Sequence, residues 1–363
     1  MNTSTLLKSG GEKGDVVLES IREQRDIRVY DSYDVIIIGG GVAGMSAALA
    51  ARRNGMRTLL VEKAAFMGGL ATLGHVCLYL PLCDGNGRKV IGGISEELLH
   101  LSIQYGYNDL PEGWTRGILH HPDPKGRYKT WFNIPAFVLA ADELMENEGV
   151  DILYDTVFCE PVMDGKTVTG VIVENKSGRC AYKAKMVVDA SGDADERGQM
   201  REYYGTDGKE VSQYLQVSRK FALERLKERM GPEYTQLSVA GMGAFRTTRR
   251  ITGCYELHPE DMNKHFDDSI GCTGDWRKAG PVYEIPYRCL IDPEVQNVFA
   301  AGRIIASADD AWEVTRVIPT AAMTGEAAGT AAALAVRSGC TSGEVNVAEL
   351  QKILANNGVI LHI

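Results

Sequence analysis

No stretch of this chain approaches the ~20 uninterrupted apolar residues that a membrane-spanning helix requires. Its first residues, MNTSTLLKSGGEKGD, lack the apolar centre of a secretory leader, so a cytoplasmic location is the expectation. Basic residues are in the minority: 39 Lys and Arg stand against 48 Asp and Glu, a net charge of −9. A dedicated nucleic-acid binder or a ligand of anionic membranes needs a basic face, so neither partner is expected. Cysteine is present but unpatterned. The eight thiols, at 77, 83, 159, 180, 254, 272, 289 and 340, show no C-x-x-C spacing, and the seven histidines show no H-x-x-x-H. Reduced thiols are therefore expected, with no disulfide framework and no metal site.

What the chain has in excess is glycine, 40 of 363 residues or about 11%, against a usual ~7%. Without a triplet repeat, that excess belongs in special loops. The length suits two domains, or one large domain carrying insertions.

A short apolar run at 34–38, ended by glycines, reads as a buried parallel strand. The Ala-rich stretch 42–54 reads as a helix stopped near Gly55, and 58–61 as a second buried strand. Further strands are expected at 151–157, 167–174, 185–189 and 298–302, and helices at 95–105, 135–148, 213–230 and 320–336. Residues 76–134 and 196–290 are irregular, rich in Gly, Pro and aromatic side chains, and read as insertions. The division expected is a lead-in at 1–32 and a discontinuous nucleotide-binding domain at 33–75, 135–195 and 291–340. The insertions 76–134 and 196–290 would build a substrate or cap domain, and 341–363 a helix and tail. The fold class is α/β, a Rossmann-like parallel sheet with a β-meander plus an insertion-built α+β domain.

The strongest motif is Gly39-x-Gly41-x-x-Gly44, set between the first strand and first helix. Gly39 makes the tight turn, Gly41 lets backbone approach a pyrophosphate, and Gly44 lets helix pack on strand. The amides at Val42 and Ala43 open the helix, where a partial positive charge favours phosphate. Glu62, closing the second strand, is placed to accept hydrogen bonds from a ribose diol.

The ordered stretches YDVIIIGGGVAGMSAALAARRNGMRTLLVEK, Gly68-Gly69, KMVVDASGDAD, NVFAAGRIIAS and RVIPTAAMTGEAAGTAAALA resemble the FAD-dependent oxidoreductase family with the glutathione-reductase-type fold. The resemblance covers about 33–75, 135–195 and 245–338. It implies an extended FAD whose phosphates meet the second glycine pair and whose adenine lies near Val157. Lys63 and the Ala190-Ser191-Gly192 turn would border the cofactor, and Gly302 would flank the ribityl chain. The last helix would present the amides of Thr320, Ala321 and Ala322 to the flavin pyrimidine edge, where reduced flavin carries negative charge. Many relatives carry an acid directly after the Ala-Gly pair. This chain has Arg303, which leaves that contact to Asp309, to Asp310 or to backbone. The C-x4-C pair of related disulfide reductases is also missing, with Ala71 and Val76 in those places. No second GxGxxG follows a strand, so reducing equivalents must come from substrate, a transient donor or a partner protein.

Arg316, three residues before Pro319, is expected near the flavin ring. Arg249 and Arg250, with Arg246, form a basic cluster suited to gripping a carboxylate or phosphate, or else a surface cluster pairing with acids. His75 is either a proton donor or an ordinary loop histidine. His120 and His121 read as surface loop, and Tyr128 and Trp131 either cover a planar substrate or pack inside. The expected activity is hydride transfer between flavin N5 and a small anionic organic substrate. The alternative is a flavin-carrying electron relay that meets a redox partner protein.

Overall fold

The computed structural model describes residues 5–7, 20–106, 110, 129–192, 205–229, 231, 237–245 and 247–363. His120, His121, Tyr128 and Arg246 lie outside them. Strands β1 (Thr5–Leu7) and β2 (Ser20–Arg22) pair antiparallel ahead of the main sheet. The apolar run at 34–38 is the end of an eleven-residue strand, β3 (Arg28–Ile38). Helix α1 (Val42–Arg53) follows, with Arg52 and Arg53 in its last turn where cations suit the helix dipole. Gly55, at φ +83°, then turns the chain into β4 (Thr58–Val61).

The first insertion holds a two-residue strand pair, β5 (Leu78–Tyr79) with β6 (Thr130–Trp131), and α2 (Ile94–Gln104). Helix α3 (Ile134–Glu148) starts on Asn133, whose side chain caps Ala136 N, with Pro135 in the first turn where a missing N–H costs nothing. The strand expected over 151–157 is broken. β7 ends at Leu153 and β8 starts at Val157, because Asp155 takes φ 50°. β9 (Thr167–Asn175) and β10 (Gly178–Asp189) complete a meander with β8 (Val157–Asp164), and α4 (Gly208–Arg229) follows. The second insertion adds the hairpin β11 (Ser269–Gly274) and β12 (Val282–Pro286). The chain ends with β13 (Val298–Ala300), α5 (Asp309–Thr315), α6 (Ile318–Ser338) and α7 (Val347–Asn356).

β7 (Asp151–Leu153), β4, β3 and β10 run parallel in that order. β10 is seven residues longer than its apolar end suggested, because its two halves have different neighbours. Gly178–Lys183 pair antiparallel with β9, whereas Val187–Asp189 pair parallel with β13. Strand alternation sends Val35 and Ile37 to one face, and Ile36 and Ile38 to the other. The first face belongs to a core that also takes in Leu98, Phe137, Ile285 and Leu354. The insertions thus share one interior with the sheet. Parallel alignment also brings the residues after β3, β4, β10 and β13 to a single edge: Gly39, Glu62, Ala190 and Ala301. Open α/β sheets bind their ligands at such a carboxyl edge.

Helices α1 and α6 cross in backbone contact. A Cβ on Gly325 would lie 2.1 Å from Ala43 O, and one on Gly329 2.2 Å from Ala47 O. Between those glycines Glu326 is fully buried and accepts from Ile94 N at 2.7 Å, capping α2. Burial pushes its pKa up to about 7. A carboxyl raised in this way favours the fold while protonated, so its support is full below the unfolded value of about 4.5 and fades as pH rises through 7. Glu326→Gln should flatten the fall in urea midpoint between pH 4.5 and 7, relative to wild type. Parallel wild-type and variant curves over that window would exclude the effect.

Candidate functional site

At the carboxyl edge of the sheet lies a cleft of about 570 Å³. Its floor is the turn after β3. Gly39 takes φ +93°, and a Cβ there would sit 2.7 Å from Ala190 O, so only glycine permits this approach of β3 to β10. Gly41 caps α1 at φ −63° without any side-chain cap. The amides of Val42, Ala43 and Gly44 lie in the first turn, beyond reach of any carbonyl of their own helix. Gly44 itself packs inward, its Cβ position 1.8 Å from Gly39 O. Opposite, Gly68 bridges to Gly41 and donates to Gly40 O at 2.8 Å, so two glycine turns face one another across bare backbone.

The cleft lining includes a carboxylate at the close of β4. Glu62 is buried, with one carboxylate oxygen accepting from Gly40 N at 2.6 Å and the other from Ala64 N at 2.7 Å. Each oxygen retains a lone pair for a hydroxyl donor. Lys63, the next residue, also lines the cleft. Across the floor, Ala190, Ser191 and Gly192 follow β10, and Arg303 donates to Gly192 O beside Gly302. The cleft's apolar lining includes Leu73, Val76, Leu78 and Leu80 from the first half of the chain and Met242 and Trp276 from the second insertion. Arg316 also lines the cleft, close to the start of α6. Its Nε donates to the buried Glu313 at 3.0 Å, and its guanidinium carbon lies 6.0 Å from the centre of the Trp276 ring.

Not every expected residue lines the cleft. Val157 opens β8 outside the cleft, half exposed, because the chain turns away at Asp155. α6 starts two residues earlier than its sequence suggested, so the Ala321 amide is already bonded to Val317 O at 2.8 Å. Ala321 still lines the cleft. Thr320 points its hydroxyl at Thr273 instead, 2.7 Å away, and Ala322 is buried in the helix. The first-turn amides are those of Ile318 and Thr320, Pro319 having none. Asp309 is exposed at the start of α5, outside the cleft, while Asp310 is engaged by Arg277 at 2.8 Å. Arg250 pairs with Glu256, and Arg249 donates to Thr206 O at 2.9 Å; neither lines the cleft. His75 neighbours Val76 at φ 56° but does not line it either. Trp131 is half exposed on β6. The residues that sequence reasoning missed are the apolar wall and Glu313. Nothing in local pattern distinguishes these leucines from core.

The sequence model of the family described as "FAD dependent oxidoreductase" matches residues 34–229 and 199–354. The digeranylgeranylglycerophospholipid reductase of Picrophilus torridus is 28% identical over 174 residues, 46% of this chain and 41% of that protein. The 3-oxosteroid 1-dehydrogenase of Mycolicibacterium smegmatis is 54% identical over 74 residues, 20% of this chain and 13% of the other. The chain thus spans less than half the length of either curated relative. A geranylgeranyl bacteriochlorophyll reductase-like structure from Thermoplasma acidophilum aligns at a TM-score of 0.45 and 12% identity, covering 91% of this chain and 84% of that one.

FAD is the family's cofactor, and the residues present fit it. A Cβ on Gly41 would meet nothing within 4 Å, which leaves room for a phosphate against the opening turn of α1. Glu62 offers carboxylate oxygens for a ribose, and Val317, Ile318 and Ala321 bring the start of α6 to the same cleft. No helix among the described residues is long and apolar enough to cross a membrane. With both the cradle and a match extending from residue 34 to residue 354, the chain belongs to the FAD dependent oxidoreductase family.

Proposed function

We propose that this chain is a flavin oxidoreductase that moves a hydride between flavin N5 and an organic molecule that is apolar along most of its length. FAD, when bound, supplies the hydride-transferring centre. The observation that carries the reading is the apolar lining of the cleft. Leu73, Val76, Leu78, Leu80 and Met242 form its wall, and Arg316 is already charge-paired with Glu313. Such a wall excludes water and favours a hydrocarbon skeleton, with one polar group able to reach the guanidinium. This departs from the small anion first expected. The relatives named above for a phospholipid and for a steroid point the same way, and being a reductase and a dehydrogenase they favour turnover over an electron-relay role.

In this proposal the residues divide the work. Gly41, Gly68, Gly69 and the first amides of α1 would hold the diphosphate, with Glu62 on the ribose. The Ile318 and Thr320 amides would offer a helix dipole to negative charge on a reduced ring. Glu313 and the Trp276 face fix the Arg316 side chain at the cleft wall, where its guanidinium charge would orient the substrate's polar end. The test is anaerobic photoreduction, followed by mixing with apolar enones and, separately, short enoates. Faster reoxidation by the short enoates would overturn the apolar assignment. Arg316→Ala should keep its flavin, since Arg316 is not among the residues proposed to hold the diphosphate, yet slow single-turnover reoxidation by roughly 10–100-fold. An unchanged rate would remove Arg316 from the site.

A further inference from the structure

A second cluster lies away from the cleft, where the β11–β12 hairpin meets the end of the chain. Glu284 on β12 is nearly buried. His265, in the loop before β11, places Nδ1 3.4 Å from Glu284 Oε2, and His362 places Nδ1 3.0 Å from the same oxygen. One ligand atom from each of the three residues falls within 4.8 Å of the others. Two ligands bound at about 2.1 Å to a tetrahedral ion stand roughly 3.4 Å apart, so these separations suit a single small cation. From these positions we propose that His265, Glu284 and His362 form a binding site for a divalent transition metal of the zinc type.

The surroundings support such a site. His265 turns its other nitrogen, Nε2, toward Asp267 at 3.4 Å, the outer carboxylate that typically orients a ligating imidazole. Glu284 Oε2 also accepts from Phe266 N at 2.8 Å, which holds the carboxylate in place. The tail that carries His362 is fastened independently, since Ser269 Oγ donates to Leu361 O at 2.6 Å and Val359 is buried. A polar cavity of about 280 Å³, lined by Asp84, Arg88, Asn263 and Lys264, adjoins His265 and Glu284 and leaves room for a fourth ligand such as water. Two imidazoles and one carboxylate favour Zn²⁺ or Co²⁺ over Mg²⁺ or Ca²⁺, which prefer all-oxygen shells. A metal here would clasp the tail to the hairpin whose Thr273 touches the start of α6. Nothing in this inference depends on the flavin reading.

The test uses untagged, full-length, metal-stripped protein titrated with ZnCl2 by calorimetry and with CoCl2 by visible absorption. One equivalent should bind, and Co²⁺ should give the intense bands of a tetrahedral site. His265→Ala and His362→Ala remove exposed rings, 64% and 40% accessible, so both variants should fold and each should bind at least ~100-fold more weakly. His100→Ala, on the exposed face of α2, should bind as wild type does. Absence of stoichiometric binding to wild type would overturn the site, leaving a carboxylate hydrogen-bonded between two histidines. Undiminished binding in either cluster variant would overturn it as well.

Discussion

Gly41→Val should purify as a folded protein without colour. Gly41 sits at φ −63°, which any L-residue adopts, and a Cβ there meets nothing within 4 Å. The substitution replaces a favourable N-cap residue by an unfavourable one and should cost the apoprotein about 1 kcal/mol, which leaves it folded. Its branched side chain enters open space at the α1 terminus, where we propose that the diphosphate lies against backbone amides. A side chain there both fills the space and screens the N–H groups, so FAD affinity should fall at least ~100-fold. Flavin absorbance of the purified variant, FAD titration and urea unfolding of the apoprotein check it together. Full flavin occupancy would end the assignment of this turn to phosphate.

Gly329→Ala should do the reverse, destabilising the protein before it affects any chemistry. In an ordinary helix interior this substitution stabilises by about 1 kcal/mol, because glycine is the poorer helix former. Here the new Cβ would fall 2.2 Å from Ala47 O, a backbone atom that moves only if α1 moves. Separating the two helices would strip contacts along their whole crossing, and we expect a net loss of roughly 3 kcal/mol or more by urea unfolding. Gly343→Ala, whose Cβ position is open, serves as the control and should shift stability by no more than about 0.5 kcal/mol. A Gly329→Ala protein as stable as wild type would mean that the helices tolerate separation.

The two glycines show how unevenly the structure could be read in advance. Gly39-x-Gly41-x-x-Gly44 announced itself because the turn, the helix start and the following strand are contiguous in the chain. The tight fit of Gly325 and Gly329 could not be seen that way, because their partners, Ala43 and Ala47, lie some 280 residues earlier. Arg316, Arg249 and Arg250 looked comparable on paper. The fold sends Arg316 to the cleft and the other two to Glu256 and Thr206 O. Metal chemistry was discounted for want of close histidine spacing, yet residues 265, 284 and 362 converge.

What the sequence alone determined is local: the strands as apolar runs, the glycine turn and helix at the floor of the cleft, and Glu62 at the next strand's end. Each depends on backbone conformation within a dozen residues, which side-chain size and periodicity dictate directly. Tertiary structure alone decided which carboxyl ends share an edge, which arginine meets the apolar wall, and that the tail reaches the hairpin. Those outcomes follow from sheet order and helix crossing, where contacts between distant segments compete and the best-packed arrangement prevails.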